Sequence, residues 1–181
     1  FMDHREARKL SRGSQFAVAA ARLAVADARL EINDSNREAI GALVANSATS
    51  PPEIESSTKV FFERGPSRIN PFHFAASLPH MPACQVAIQL GLLGHSTAIG
   101  TACAAGAQAI GEAAEIIRRG DADVMLAGGS EATICRLTIA SFLSLRALST
   151  NSDVPPAAAS RPFDAARDGF VLGEGAGVLV L

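Results

Sequence analysis

The runs from Ala39 to Ala45, Val124 to Ala127 and Val178 to Leu181 consist of small and apolar residues alone. Such runs read as strands covered on both faces, and parallel strands in an α/β core fit them best. The intervening stretches carry helix periodicity. From Ser14 to Leu30, Phe16, Ala19, Ala20, Leu23, Ala26 and Leu30 recur at three- and four-residue spacing, with Arg22 and Arg29 off the stripe. Pro51, Pro52 and Pro66 bracket a helical stretch from Ile54 to Arg64, Pro71 to Pro82 reads as irregular, and Val86 to Leu93 is helix-compatible. Ser96 to Gly100 is a short strand, and a helix begins near Cys103. That helix points Ala107, Ile110, Ala114 and Ile117 inward, and it ends at Arg118, Arg119 and a left-handed Gly120. Ser149 to Ala159 is a polar loop. With no dividing linker, residues 1–181 are expected to form a single domain.

Composition narrows the function. The chain has 181 residues, 48% of them hydrophobic, enough to bury a core. Its 16 basic and 18 acidic residues give a net charge of -2, which disfavours a general nucleic-acid binder. There is no apolar run of membrane-spanning length and no secretory signal, so a cytoplasmic protein is expected. Cys84, Cys103 and Cys135 are odd in number and lack paired CxxC spacing, which predicts free thiols and no metal site. The chain opens at Phe1 and stops inside an apolar run, so both ends read as cut.

Chemistry concentrates at Ile99-Gly100-Thr101-Ala102-Cys103-Ala104-Ala105-Gly106, where a strand turns into a helix through small residues and presents one thiol. Unpaired amides and the positive dipole end at a helix start favour a thiolate and can hold the oxyanion of a thioester under attack. The competing reading of any free cysteine is a small buried hydrophobe. Cys84 and Cys135, neither preceded by a strand and a small-residue turn, take that reading. The run Gly173-Glu174-Gly175-Ala176-Gly177 resembles a nucleotide loop, but it precedes a strand instead of opening a helix, so tight packing is the better account.

TACAAG at 101–106 is followed by AIGEAAEIIRRGDADVMLAGGSEA, then FLSLRALS, then ASRPFDAARDGFVLGEGAGVLVL. Together these resemble the first half of a beta-ketoacyl-[acyl-carrier-protein] synthase, most closely the type II, synthase II subgroup, from about Arg5 to Leu181. The resemblance implies one incomplete half of the duplicated thiolase fold, an α/β architecture of α-β-α layers. It places the acyl-accepting cysteine at Cys103, which takes an acyl group from acyl carrier protein before malonyl carrier protein is decarboxylated and condensed. Two histidines and a lysine in the family's second half serve that later step. No HGTGT-like sequence surrounds His4, His73, His80 or His95, so these are not the catalytic pair.

The same resemblance assigns other positions. Phe142 matches an acyl-pocket residue. Ala48, within Asn46 to Pro52, stands where the family has a bulky residue that limits chain length, and Phe74 is a candidate to refill the space. Arg5, Lys9, Arg68 and Arg146 match positions that dock the acidic carrier. The clusters around Arg161 and Asp168 read as a structural ion-pair region, and Glu131 as a structural carboxylate. A homodimer is implied for the intact enzyme, with no directly bound cofactor, because substrates ride on the carrier's phosphopantetheine arm. The rivals are another thiolase-fold enzyme, such as a modular polyketide ketosynthase or a thiolase, and a non-catalytic partner subunit, against which Cys103 argues.

Overall fold

The computed structural model describes residues 1–48 and 50–181. Among them the chain runs through α1 (His4–Ala7), α2 (Arg12–Asp27), β1 (Ile40–Ala45), α3 (Pro51–Arg64), α4 (His73–Ser77), α5 (Met81–Leu90) and β2 (Ser96–Thr97). It continues through α6 (Ala105–Arg118), β3 (Val124–Glu131), α7 (Arg136–Ser144), α8 (Pro156–Ala159) and β4 (Gly175–Val180). The strands form one mixed sheet in the order β2-β1-β3-β4. β1 pairs in parallel with β2 and β3, while β4 runs antiparallel to β3.

Strand alternation divides the core. Ile40, Ala42 and Val44 of β1 join Leu126 of β3 in a cluster with Ala17, Val18 and Ala21 of α2 and Ala83 and Val86 of α5. Leu43 and Ala45, with Met125 and Ala127, meet Ala105, Ala109, Ala113 and Ile116 of α6 on the other face. All six residues of β1 are buried, as expected for a strand sandwiched between helices.

Several expectations are corrected. The run at Val178 to Leu181 is neither parallel nor covered twice: Val178 and Val180 pack on the α2 side, while Leu179 is 50% exposed. The inward stripes of α2 and α6 are rotated from the expected ones. In α2, Ala17, Val18 and Ala21 are buried and Leu23 is 57% exposed; in α6, Ala107 is exposed. The face of α6 on the sheet is Ala105, Ala109, Ala113 and Ile116, with Ile110 and Ile117 of the expected stripe packed at its edge. The strand expected over Ser96 to Gly100 shortens to Ser96–Thr97, although Asn46 N–H still bonds Ile99 O at 3.3 Å. The stretch expected to be irregular holds α4 and the proline-bearing start of α5, and α8 lies in the expected Ser149 to Ala159 loop. The end of α6 is as read: Gly120 has φ +77, its N–H bonds Ile117 O at 3.0 Å, and Asp121 N–H bonds Ile116 O at 3.1 Å.

A Cβ on Gly128 would collide with the Gly177 carbonyl across the β3–β4 ladder. Gly128→Ala is therefore expected to destabilise the fold by about 1–3 kcal/mol, measured by urea unfolding; an unchanged midpoint would contradict this packing.

Candidate active site

Cys103 is placed by a turn with one strained residue. After Ile99 is tied to the end of β1, Ala102 adopts φ +52, a left-handed conformation that costs a non-glycine residue about 1–2 kcal/mol. The 3-10 turn Ala102–Ala104 then leads directly into α6. Ala104 N–H bonds Thr101 O at 3.2 Å, and Ala105 N–H bonds Ala102 O. The Cys103 N–H has no hydrogen-bond partner among the described residues. The side chain is exposed and lines a cavity of about 390 Å³.

That cavity is walled by the ends of β1 and β3 and the starts of α6 and β4. A Cβ on Gly129 would stand 3.3 Å from the Gly106 Cα, so the first turn of α6 lies almost backbone to backbone on β3. Gly175 and Gly177 form the opposite lip, where a side chain would meet nothing within 4 Å. These glycines leave room beside the thiol; the tight approach at this end of the ladder falls on Gly128 instead. Glu131 accepts from Asn46 Nδ2 (3.3 Å), from Ser47 N–H (3.0 Å) and from the Ser47 hydroxyl, which fixes the loop after β1. Its role as a structural carboxylate matches this geometry. None of His4, His73, His80 and His95 lines the cavity; His73 Nδ1 pairs instead with Ser57 Oγ at 2.8 Å.

The other expected residues are scattered. Phe142 is half-buried and packs edge-to-face on Phe170, centroids 5.1 Å apart, outside the lining of the Cys103 cavity. Ala48 is half-buried and donates its N–H to Asn46 Oδ1 at 3.1 Å. Thr49, in the same stretch, lies outside the described residues. Phe74 is 75% exposed, so it refills no space within this chain. Arg5, Lys9 and Arg68 converge on two adjoining cavities of about 500 and 410 Å³, which share Arg8, Lys9 and Asn70. Arg8 was not singled out, although its spacing from Arg5 places both on one helical face. Arg146 lines neither cavity; it is the exposed left-handed residue, φ +55, that ends α7.

Cys135 does follow a strand and open a helix, contrary to expectation, because β3 ends at Glu131 and α7 starts at Arg136. Its sulfur turns to Thr138 Oγ1 at 3.3 Å and, like that of Cys84, lines none of the cavities described above. Three carboxylates escaped sequence reading. Glu53 accepts from Arg12 N–H (3.1 Å), Glu55 from Leu137 N–H (2.7 Å), and Glu174 from Arg12 Nε (2.5 Å) and Ile134 N–H (3.2 Å). Ser50-Pro51-Pro52-Glu53 looks like a local capping box, yet Glu53 reaches another helix. The expected ion pair is present: Arg161 bonds Asp168 at 3.1 Å, and Asp168 also accepts from Ser149 Oγ and the amides of Thr150 and Asn151. Its carboxyl is held below the ordinary value of 3.8, chiefly by the Ser149 hydroxyl.

The family model of the beta-ketoacyl synthase N-terminal domain matches residues 2–181. The chain is 46% identical over 180 residues to 3-oxoacyl-[acyl-carrier-protein] synthase 2 of Staphylococcus aureus (strain N315), covering 99% of this chain and 43% of that one. Against the synthase 2 of Synechocystis sp. (strain ATCC 27184 / PCC 6803 / Kazusa) the identity is 42% over 181 residues, again 43% of the relative. A beta-ketoacyl synthase crystal structure from Burkholderia phymatum STM815 superimposes with TM-score 0.81 at 35% identity, covering 98% of this chain and 43% of that one. A type II PKS ketosynthase, solved with its acyl-carrier protein and bound to the hexaketide, gives 0.85 at 36% identity over 93% of this chain and 43% of that one. The chain thus spans less than half the length of the relatives it matches. Among the described residues, no helix is long and apolar enough to cross a membrane.

Two outcomes follow from the local geometry. Ala102→Gly is expected to leave urea stability unchanged or raise it by up to about 1 kcal/mol, whereas Ala102→Val lowers it by about 2 kcal/mol; equal effects would contradict a left-handed Ala102. Because the Asp168 carboxyl is depressed when folded, its contribution is present above the unfolded value and is lost as pH falls through the folded one. NMR titration should give an Asp168 midpoint below 3.8, and Asp168→Asn should flatten the acid limb of stability against pH; a midpoint above 3.8 would contradict the clasp.

Proposed function

The chain belongs to the beta-ketoacyl synthase family, as its N-terminal domain, and on that premise we propose that it supplies the nucleophilic half of a 3-oxoacyl-[acyl-carrier-protein] synthase. The observation that carries this reading is Cys103, exposed in a cavity at the start of α6, with its own amide unpartnered among the described residues. The Cys103 thiolate attacks the carbonyl of an acyl thioester, and the Cys103 N–H is available to the resulting oxyanion. Collapse breaks the bond to the carrier sulfur, which leaves and takes up a proton, and the acyl group remains on Cys103. A malonyl thioester then loses carbon dioxide, and the freed electron pair forms the new carbon–carbon bond at the acyl carbonyl. The bond to Cys103 breaks as the oxyanion collapses, which regenerates the thiolate.

The cavity lining offers Glu131 and Asn46 but neither histidine nor lysine. Glu131 and Asn46 bond each other and the neighbouring backbone, so this half serves the acyl-transfer step. Decarboxylation draws on groups that the family carries beyond the matched stretch. By resemblance to the family the acyl site extends beyond the cavity lined by Cys103, with Phe142 as its wall and Ala48 widening it, while Arg5, Lys9 and Arg68 form the face that meets an acidic acyl carrier protein, with Arg146 as a separate contact. The reaction class is shared by fatty-acid and polyketide chemistry. A non-catalytic ketosynthase-like subunit is disfavoured by the thiol itself.

Folded protein treated with an epoxide or chloroacetyl electrophile is expected to carry one adduct at Cys103, and Cys103→Ala none at neutral pH. Mass spectrometry locates the adduct; modification at Cys84 or Cys135 with Cys103 untouched would overturn the assignment.

A further inference from the structure

Helix α7 has little to hold it. It is nine residues long and none of them is buried; Leu137 is 56% and Leu143 46% exposed. A helix this short is marginal without tertiary support. Its own N-cap, Cys135, makes no capping bond through its side chain. Two contacts from outside stand out. Phe142 packs edge-to-face on Phe170, and Glu55 of α3, 82 residues earlier, accepts the Leu137 N–H at 2.7 Å.

The second contact is a helix cap supplied from a distance. Leu137 is the second residue of α7, so its amide is one of those that no intrahelical carbonyl can reach. A carboxylate there makes a charge-assisted bond and faces the positive end of the helix dipole. Glu53, two residues away and so about 200° around α3, accepts the Arg12 N–H at the start of α2. One helix thereby grips the first turns of two others with two carboxylates pointing opposite ways.

We propose that Glu55 is a positioning residue, capping α7 from α3 so that Phe142 stands at a fixed place, and thereby setting the acyl chain length accepted on Cys103. This rests on the reading that Phe142 walls the acyl site. Glu55 is not among the residues that line the Cys103 cavity; it acts through α7. Glu55→Gln keeps an acceptor oxygen without the charge, and Glu55→Ala removes both.

The test uses the full chain with two readouts. Hydrogen exchange followed by mass spectrometry reports on residues 136–144. Acylation of Cys103 by hexanoyl- and palmitoyl-pantetheine reports on chain-length preference, with iodoacetamide as a size-neutral control. Glu55→Ala is expected to speed exchange in 136–144 at least tenfold, with α2, β1 and β3 within twofold of wild type. Its preference between the two thioesters should shrink at least fivefold, with the iodoacetamide rate within twofold and Glu55→Gln intermediate. Wild-type exchange in 136–144, a uniform rise throughout the chain, or an unchanged preference beside a loosened α7 would each overturn the inference. A wild-type protein whose Cys103 reacts with iodoacetamide but takes neither acyl group would overturn the functional reading together with it. That result is distinct from failure of the inference alone, in which wild type is acylated selectively and Glu55→Ala keeps the selectivity.

Discussion

The first turn of α6 rests on β3 with only glycine between them, Gly106 against Gly129, and the position of Cys103 depends on that approach. Were either strand or helix displaced outward by a side chain, the turn carrying the thiol would lift from the sheet. The left-handed Ala102 completes the arrangement by redirecting the chain within a single residue. Its strain is stored beside the reacting atom and is balanced by burial of Ala105, Ala109, Ala113 and Ile116 beneath it.

Around this centre the polar contacts are long-range. Glu131 joins the end of β3 to the loop after β1, Glu174 joins the approach to β4 to α2 and to the segment before α7, and Glu53 and Glu55 join α3 to α2 and α7. Exposed ion pairs contribute little to stability. Bonds from carboxylates to unpaired backbone amides do more to fix where an element lies, because each satisfies a donor that would otherwise need water. Geometry at the site is therefore held by acceptors aimed at helix starts as well as by the apolar core.

Much of this was legible in the residues. The apolar runs located β1 and β3, Gly120 marked the end of α6, and the small-residue turn located Cys103 at a helix start. In α2 and α6 alanine lies on several faces, so apolar spacing does not choose between neighbouring stripes; the sheet buries Ala17, Val18 and Ala21 of the first and Ala105, Ala109, Ala113 and Ile116 of the second. Four apolar residues at the chain's end could not reveal that β4 is antiparallel and open on one face, since that depends on where α6 stops covering the sheet. Gly128-Gly129-Ser130 continues β3 to Glu131, four residues closer to Cys135 than the expected run from Val124 to Ala127 reaches. Glu53, Glu55 and Glu174 gave no local signal: their partners are 41, 82 and 162 residues away.

The claim on which the functional account stands is that the amide of Cys103 bonds the carbonyl of an acyl group carried on its sulfur. Isotope-edited infrared spectroscopy of protein acylated with a carbonyl-labelled thioester measures this directly. The thioester stretch is expected at lower frequency in folded protein than in the same acyl-protein after denaturation. A band that does not move on unfolding, or that lies higher when folded, would contradict it.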